Sequence, residues 1–310
     1  MAISKHVEEF HGLPIHEFTG TEGLPEPESV AWRVQVEYEG GEDFAAVWAR
    51  FTGAVDTTRV RALVVGPWWE DEYELVTPVV TALTADAARF PQLRAIFLGE
   101  VTFEECEISW LQMDDVTPLL TAFPSLEELV VRGAAEDWDG NGGLGLSPVR
   151  HERLRALRFE SGGLPGEVVR AVLASELPAL ERLELWLGTS DYGASTTDED
   201  LAPLLSGALF PALRHLGLEN DQRQDRIAEL VAAAPLAARL DGLSLALGTL
   251  SDRGAEALLG LTHLSRLDLR HHFLTEEMQQ RLRAALPGVE LDLSEAGDPE
   301  DKWRYVANGE

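Results

Sequence analysis

The pattern that most restricts what this chain can fold into is an apolar frame, L-x-x-L-x-L, that returns along most of its length. It occurs as Val60/Leu63/Val65, Leu93/Ile96/Leu98, Leu126/Leu129/Val131, Leu154/Leu157/Phe159, Leu180/Leu183/Leu185, Leu213/Leu216/Leu218, Leu240/Leu243/Leu245 and Leu264/Leu267/Leu269. A ninth copy, Leu291/Leu293, lacks its leading leucine. Successive central positions lie 24 to 33 residues apart. Within each frame alternate residues are apolar, which is the period of a strand with one face in a core. Between frames the apolar spacing changes to three and four, so helices are expected within 74–90, 115–123, 166–177, 199–209, 225–234, 252–260 and 275–286. Pro78, Pro118 and Pro203 stand in a shared phrase (VTPVV, VTPLL, LAPLL) and are expected in first helical turns, where a missing N–H costs nothing. Ser251 and Thr275 are expected N-caps.

One strand and one helix per repeat, stacked in parallel, build a solenoid whose strands line a concave face and whose helices form the convex one. At this point the frames resemble the leucine-rich-repeat superfamily in its ribonuclease-inhibitor-like, long-helix style, over residues 57–294. The resemblance implies an α/β horseshoe with a parallel concave sheet. The Asn or Cys that usually follows the frame is missing, its place held by Trp68, Val101, Ala134, Gly162, Gly188, Asp221, Gly248 and His272. That puts a regular ladder of turns in question, though not the stack. Residues 1–56 are expected to be an N-terminal cap with a strand at 32–38 and a helix at 43–52, residues 57–294 an array of about nine repeats, and 295–310 an acidic tail.

The phrases HGLP (11–14), VDTTRVRALVVG (55–66), FLG (97–99), EISW (107–110), DVTPLL (115–120) and LWLGT (185–189) resemble, more narrowly, a group of uncharacterised bacterial leucine-rich-repeat proteins. The genes of that group neighbour those of radical-SAM, ATP-grasp and sulfatase-like proteins. The resemblance therefore implies an accessory role in a biosynthetic or modification pathway, and carries no activity of its own.

Asp and Glu number 54 against 25 Lys and Arg, a formal net charge of −29. Such a field repels phosphate backbones and attracts cationic ligands, which argues against a nucleic-acid partner. Residues 1–24 have no secretion-signal pattern, and no stretch approaches the roughly 18 apolar residues of a membrane span. The one cysteine, Cys106, cannot close an internal disulfide. A cytoplasmic protein without a membrane partner is expected.

Tests for chemistry come out negative. Asp137-x-Asp139-x-Asn141-Gly142 opens like a calcium loop, but the twelfth position, where a bidentate Glu belongs, is Pro148. His271 and His272 follow a strand, where adjacent side chains diverge. Cys106 stands among Glu104, Glu105 and Glu107, which disfavour a thiolate. No G-x-S-x-G elbow, Walker loop, G-x-G-x-x-G turn or H-E-x-x-H helix is found. No catalytic residue, metal or cofactor is expected.

Binding is expected instead on the concave face and the loops that leave the strands. The residues between the last two apolar positions of each frame run from Val64, Phe97 and Val130, through Arg158 and Glu184, to Asp268 and Asp292. This apolar-to-charged gradient suits an asymmetric ligand, unless residues 30–40 or a loop cover its apolar end. The loops 67–74, 99–110, 133–139, 188–200 and 219–225 hold 18 acids in 47 positions and a single base, Arg223. They also hold Trp68, Trp69, Tyr73, Phe103, Trp110, Trp138 and Tyr192. Carboxylates beside aromatic rings suit an Arg- or Lys-bearing partner. The expected contact residues are Trp68, Trp69, Glu70, Phe97, Glu100, Asp137, Trp138, Arg158, Glu184, Trp186 and Tyr192, with Trp68 and Trp69 as exposed anchors. The function expected is a non-catalytic scaffold for a protein or peptide with a basic surface. The alternative is a subunit that activates a radical-SAM or ATP-grasp type enzyme, which a stable complex altering that enzyme's turnover would distinguish.

Overall fold

The computed structural model describes residues 3–70, 72–137 and 139–309. They form two compact units, one made of residues up to 157 with 175–177, the other of 158–174 and the chain from 178 onward.

In the N-terminal unit six strands pair in sequence order: β1 (Glu9–Phe10), β2 (Leu13–Glu17), β3 (Ala31–Val34), β4 (Ala62–Val65), β5 (Ala95–Leu98) and β6 (Glu128–Arg132). All pairs are parallel except the β1–β2 hairpin. The frame leucines lie in register, Trp32 beside Leu63, Leu63 beside Ile96 and Ile96 beside Leu129. Strand β3 thus carries the repeat one step before the first full frame. The intervening helices are α1 (Phe44–Ala54), α2 (Thr77–Ala85) and α3 (Thr117–Ala122). Helix α1 starts at Asp43, whose carboxylate accepts from Ala46 N at 2.8 Å, and it turns Trp48 and Phe51 inward against Trp32, Phe18 and Phe90. Each fully buried Leu, Val or Phe of this kind contributes about 1.5–3 kcal/mol.

Strand β7 (Ala156–Glu160) contains the division between the units. In the C-terminal unit β8 (Arg182–Gly188), β9 (His215–Asp221), β10 (Gly242–Ser244), β11 (Arg266–Asp268) and β12 (Glu290–Asp292) are parallel and again in sequence order. Leu183, Leu216, Leu243, Leu267 and Leu291 form one continuous row. Between the strands run α4 (Gly166–Ala174), α5 (Asp198–Leu205), α6 (Gln224–Ala233), α7 (Asp252–Leu258) and α8 (Glu276–Ala285). Ser251 and Thr275 cap α7 and α8 through Arg253 N and Met278 N. Pro78 and Pro118 sit at helix starts, but Pro203 lies inside α5. The reason is a capping box between Thr197 and Asp200, which begins α5 a turn earlier than the proline phrase suggests.

Two histidines and an asparagine supply part of the turn ladder that the missing consensus residue left in question. His272 is fully buried, with Nε2 against Leu293 O at 3.1 Å and Nδ1 accepting from Leu274 N. Asn220 Nδ2 donates to Ser161 O and Asn308 O, and Asn220 Oδ1 accepts from Asn308 N. His271 Nε2 meets Tyr305 O at 3.0 Å. The tail is thereby tied along the C-terminal unit instead of hanging free. Burial lowers the pKa of both histidines.

The expected apolar end of the binding face is covered. Val64, Phe97 and Val130 pack with Phe10, Val7, Leu13 and Ile15 of the N-terminal hairpin. His11 and Gly12, both at positive φ, form its two-residue turn, the geometry whose twist suits adjoining strands. The cover comes from residues 7–15, not from 30–40. It fits because Ala31, Ala62 and Ala95 form a row of small side chains on that face. His11 Nδ1 lies 2.8 Å from Glu128 Oε2 at its far end. Phe97 is therefore part of a second core and offers no free surface.

Candidate binding surface

In the N-terminal unit the loops following β3, β4 and β5 enclose a cavity of about 870 Å³. Gly66 allows their close approach, since a Cβ there would lie 2.9 Å from Gln35 Cβ. Val36 N donates to Pro67 O at 2.8 Å and locks the first two loops together. The next residues, Trp68 and Trp69, turn inward.

Trp68 is 2% exposed and its Nε1 donates to Glu74 O at 2.7 Å. Trp69 stands edge-on to Trp68 at 5.1 Å and to Tyr73 at 5.3 Å, and is 6% exposed. Both are thus structural, contrary to the expectation of exposed anchors: the indole N–H finds a loop carbonyl and the rings find one another. Only Trp69 reaches the cavity wall. Burial pushes the Cys106 thiol up to about 12 against an opposing hydrogen bond with Tyr73, and Glu107 and Glu105 add to the rise, so Cys106 is a protonated packing residue.

The cavity is lined by Glu37, Glu70, Glu72, Glu104 and Glu105, together with the aromatic rings of Tyr38, Trp69 and Tyr73. No basic side chain lines it among the described residues. Glu70 also accepts from Gly41 N at 2.8 Å, which ties the 37–41 turn to its edge. Tyr38 is 70% exposed. Glu37 and Tyr38 are the members that sequence reasoning missed. They follow β3, which lacks the complete leucine frame that marks the other strand ends.

Glu100 was expected on the surface and is instead fully buried. It pairs with Arg33, accepts from Val7 N at 3.0 Å, and meets His6 Nδ1 at 3.1 Å. Burial foremost lowers the pKa of Arg33 and His6. Glu100 holds the N-terminal segment in place. Asp137 accepts from Asp139 N, Asn141 N and Asn141 Nδ2, and those bonds hold its carboxyl below the usual range. Trp138 lies outside the described residues. Tyr192 is half-buried in a short 3-10 turn, Ser190–Tyr192, against Gly163.

Arg158, Glu184 and Trp186 come together in the C-terminal unit, at a separate cavity of about 330 Å³. Arg158 pairs with Glu184 and, at 3.2 Å, with Glu160. Burial opposes its charge, yet Glu184, Glu160 and Glu219 raise its pKa overall. Arg182 adds a 3.0 Å pair to Glu184. The expected contact residues thus fall on two cavities, one in each unit, and on packing or loop-closing positions.

Parallel strands in sequence order, those from β4 to β11 bearing the leucine frame and most of them followed by a helix, define a leucine-rich-repeat α/β array. No model of a known protein family matches the chain. No curated protein matches it either. Among solved structures it is similar to a Bacteroides fragilis protein determined as a Northeast Structural Genomics Consortium target, at 26% identity and a TM-score of 0.80, over 90% of this chain and 77% of that one. Weaker similarities are to TLR13 in the TLR13–ssRNA13 complex (14% identity, TM-score 0.35, 91% of this chain and 38% of that one) and to an internalin from Listeria monocytogenes (13%, 0.31, 86% and 82%). No helix among the described residues is long and apolar enough to cross a membrane.

Proposed function

We propose that this protein is a non-catalytic protein- or peptide-binding scaffold, and that a basic segment of its partner docks in the acidic, aromatic-walled cavity of the N-terminal unit. The observation that carries this reading is the lining itself. Five glutamates and three aromatic rings line it with no basic side chain among the described residues, and only Glu105 of the five is paired there, with Arg33 at 3.8 Å and His6 at 3.4 Å, in a chain of formal charge −29. An arginine or lysine entering there would exchange water for charge-assisted hydrogen bonds and a ring face. The overall field would speed its approach, an advantage that salt removes.

The test separates a site from general attraction. An acetylated hexa-arginine peptide is titrated against the protein and against two triple variants of equal charge. One, Glu37→Gln/Glu72→Gln/Glu104→Gln, removes three acids of the cavity. The other, Glu276→Gln/Glu277→Gln/Glu295→Gln, removes three exposed acids elsewhere. The reading expects a loss of tenfold or more in the first and less than twofold in the second. Equal losses would reduce the attraction to net charge and remove the site.

A further inference from the structure

The cavity of the C-terminal unit has a polarity of its own. Strand alternation places Arg182, His215, Gly242 and Arg266 in one register row and Glu184, Gly217, Ser244 and Asp268 in the next. Beyond them Trp186 pairs with Glu219, and Arg270 follows Asp268 by two residues. The gap exists because Gly217 has no side chain. A Cβ there would lie 2.8 Å from Glu219 Oε1 and 3.0 Å from Glu184 Cγ.

Several of the charges are already matched. Arg158 and Arg182 share Glu184, and Arg266 pairs with Glu290 at 3.1 Å. Three are not. Glu219, 7% exposed, has no ion-pair partner among the described residues and lines the cavity. Among the described residues the carboxylate of Asp268 accepts only from the backbone N of Arg270, at 3.0 Å. Arg270 lines the cavity without an ion pair among the described residues, though its charge also acts on Asp292. Beside them the buried Oγ of Ser244 meets no partner at good hydrogen-bond geometry, although it lies close enough to Glu219 to favour the ionised carboxylate. Glu219 feels the charge of Arg158, but that guanidinium is already shared by Glu184 and Glu160, so a cation entering the cavity would offset the cost of the buried carboxylate. The guanidinium in the same cavity is suited to a carboxylate.

We propose that this cavity binds a small zwitterion of the amino-acid class, its primary ammonium on Glu219 and Asp268, its carboxylate on Arg270, and its methylene groups against Trp186. The volume, about 330 Å³, is at the lower end of the range for small-molecule sites. The state of Glu219 agrees. Burial, with Glu184 next in effect, raises its pKa to about 7, so this carboxyl is partly protonated at neutral pH. Ser244, by a hydrogen bond, and Arg158 oppose the rise, and Asp268 adds to it. Arg182, His215, Arg266 and Arg270 complete the charged or titratable lining. An arriving ammonium favours the ionised form, so binding releases a proton.

The experiment is isothermal titration of the full chain at pH 7 with glycine, 4-aminobutanoate and 6-aminohexanoate, beside n-butylamine and butanoate. It is run in two buffers of different ionisation enthalpy. At least one zwitterion is expected to saturate at millimolar concentration or below, tenfold or more tighter than either singly charged control, with net proton release. Glu219→Gln is expected to abolish the proton release and lower affinity at least tenfold, and Arg270→Gln to lower it similarly. Asp268→Asn serves as a second variant should Glu219→Gln fold poorly by circular dichroism. The proposal is overturned if no zwitterion saturates, if n-butylamine binds as well as the zwitterions, or if the folded variants bind unchanged.

Discussion

Arg33 and Glu100 hold each other in an ion pair closed to water, the guanidinium 4% and the carboxylate 0% exposed. Removing one partner of such a pair strands the other's charge in the core. Glu100→Ala is therefore expected to destabilise the N-terminal unit by about 3–5 kcal/mol. Urea unfolding checks it, and a loss below about 1 kcal/mol would mean that water reaches the pair.

Leu183 and Leu216 are buried neighbours in one row of the C-terminal sheet. Leu183→Ala or Leu216→Ala is expected to cost about 2–5 kcal/mol by lost burial and the cavity left behind. Denaturant midpoints measure it.

Trp68 is a core residue with a satisfied indole N–H. Trp68→Ala is accordingly expected to cost about 3–5 kcal/mol of stability. An alanine variant of unchanged thermal midpoint would return Trp68 to the role of an exposed anchor.

Glu219 makes stability depend on pH with a definite sign. Its folded pKa, about 7, lies above the ordinary 4.5, so the native state binds more protons than the unfolded state between those values. Stability from this group is full below about pH 4.5 and is lost as pH rises through 7. Glu219→Gln is expected to flatten that decline, raising the urea midpoint relative to the parent at pH 8 more than at pH 5.

The strands were legible because each frame states its own register: a leucine or isoleucine at every central position allows one alignment, and a slip by one residue would expose it. The N-terminal cover was not. Phe10, Leu13 and Ile15 share no period with the array, and the signal that announces them, the alanine row at 31, 62 and 95, has meaning only once the strands are aligned. The acidic rim was legible as composition, yet four acids around Trp68 and Trp69 made buried rings look like surface ones. Glu219 escaped notice because β8 and β9 run on to Gly188 and Asp221, beyond the frame, and bring one more outward row into register.

The central claim is that the acidic cavity of the N-terminal unit is where a basic partner docks. Hydrogen–deuterium exchange with and without saturating hexa-arginine peptide tests it most directly. Protection is expected in the segments 35–38, 67–73 and 104–105 that line the cavity, and is expected to vanish at high salt. Protection spread evenly over all acidic loops, or confined to the helices, would contradict it.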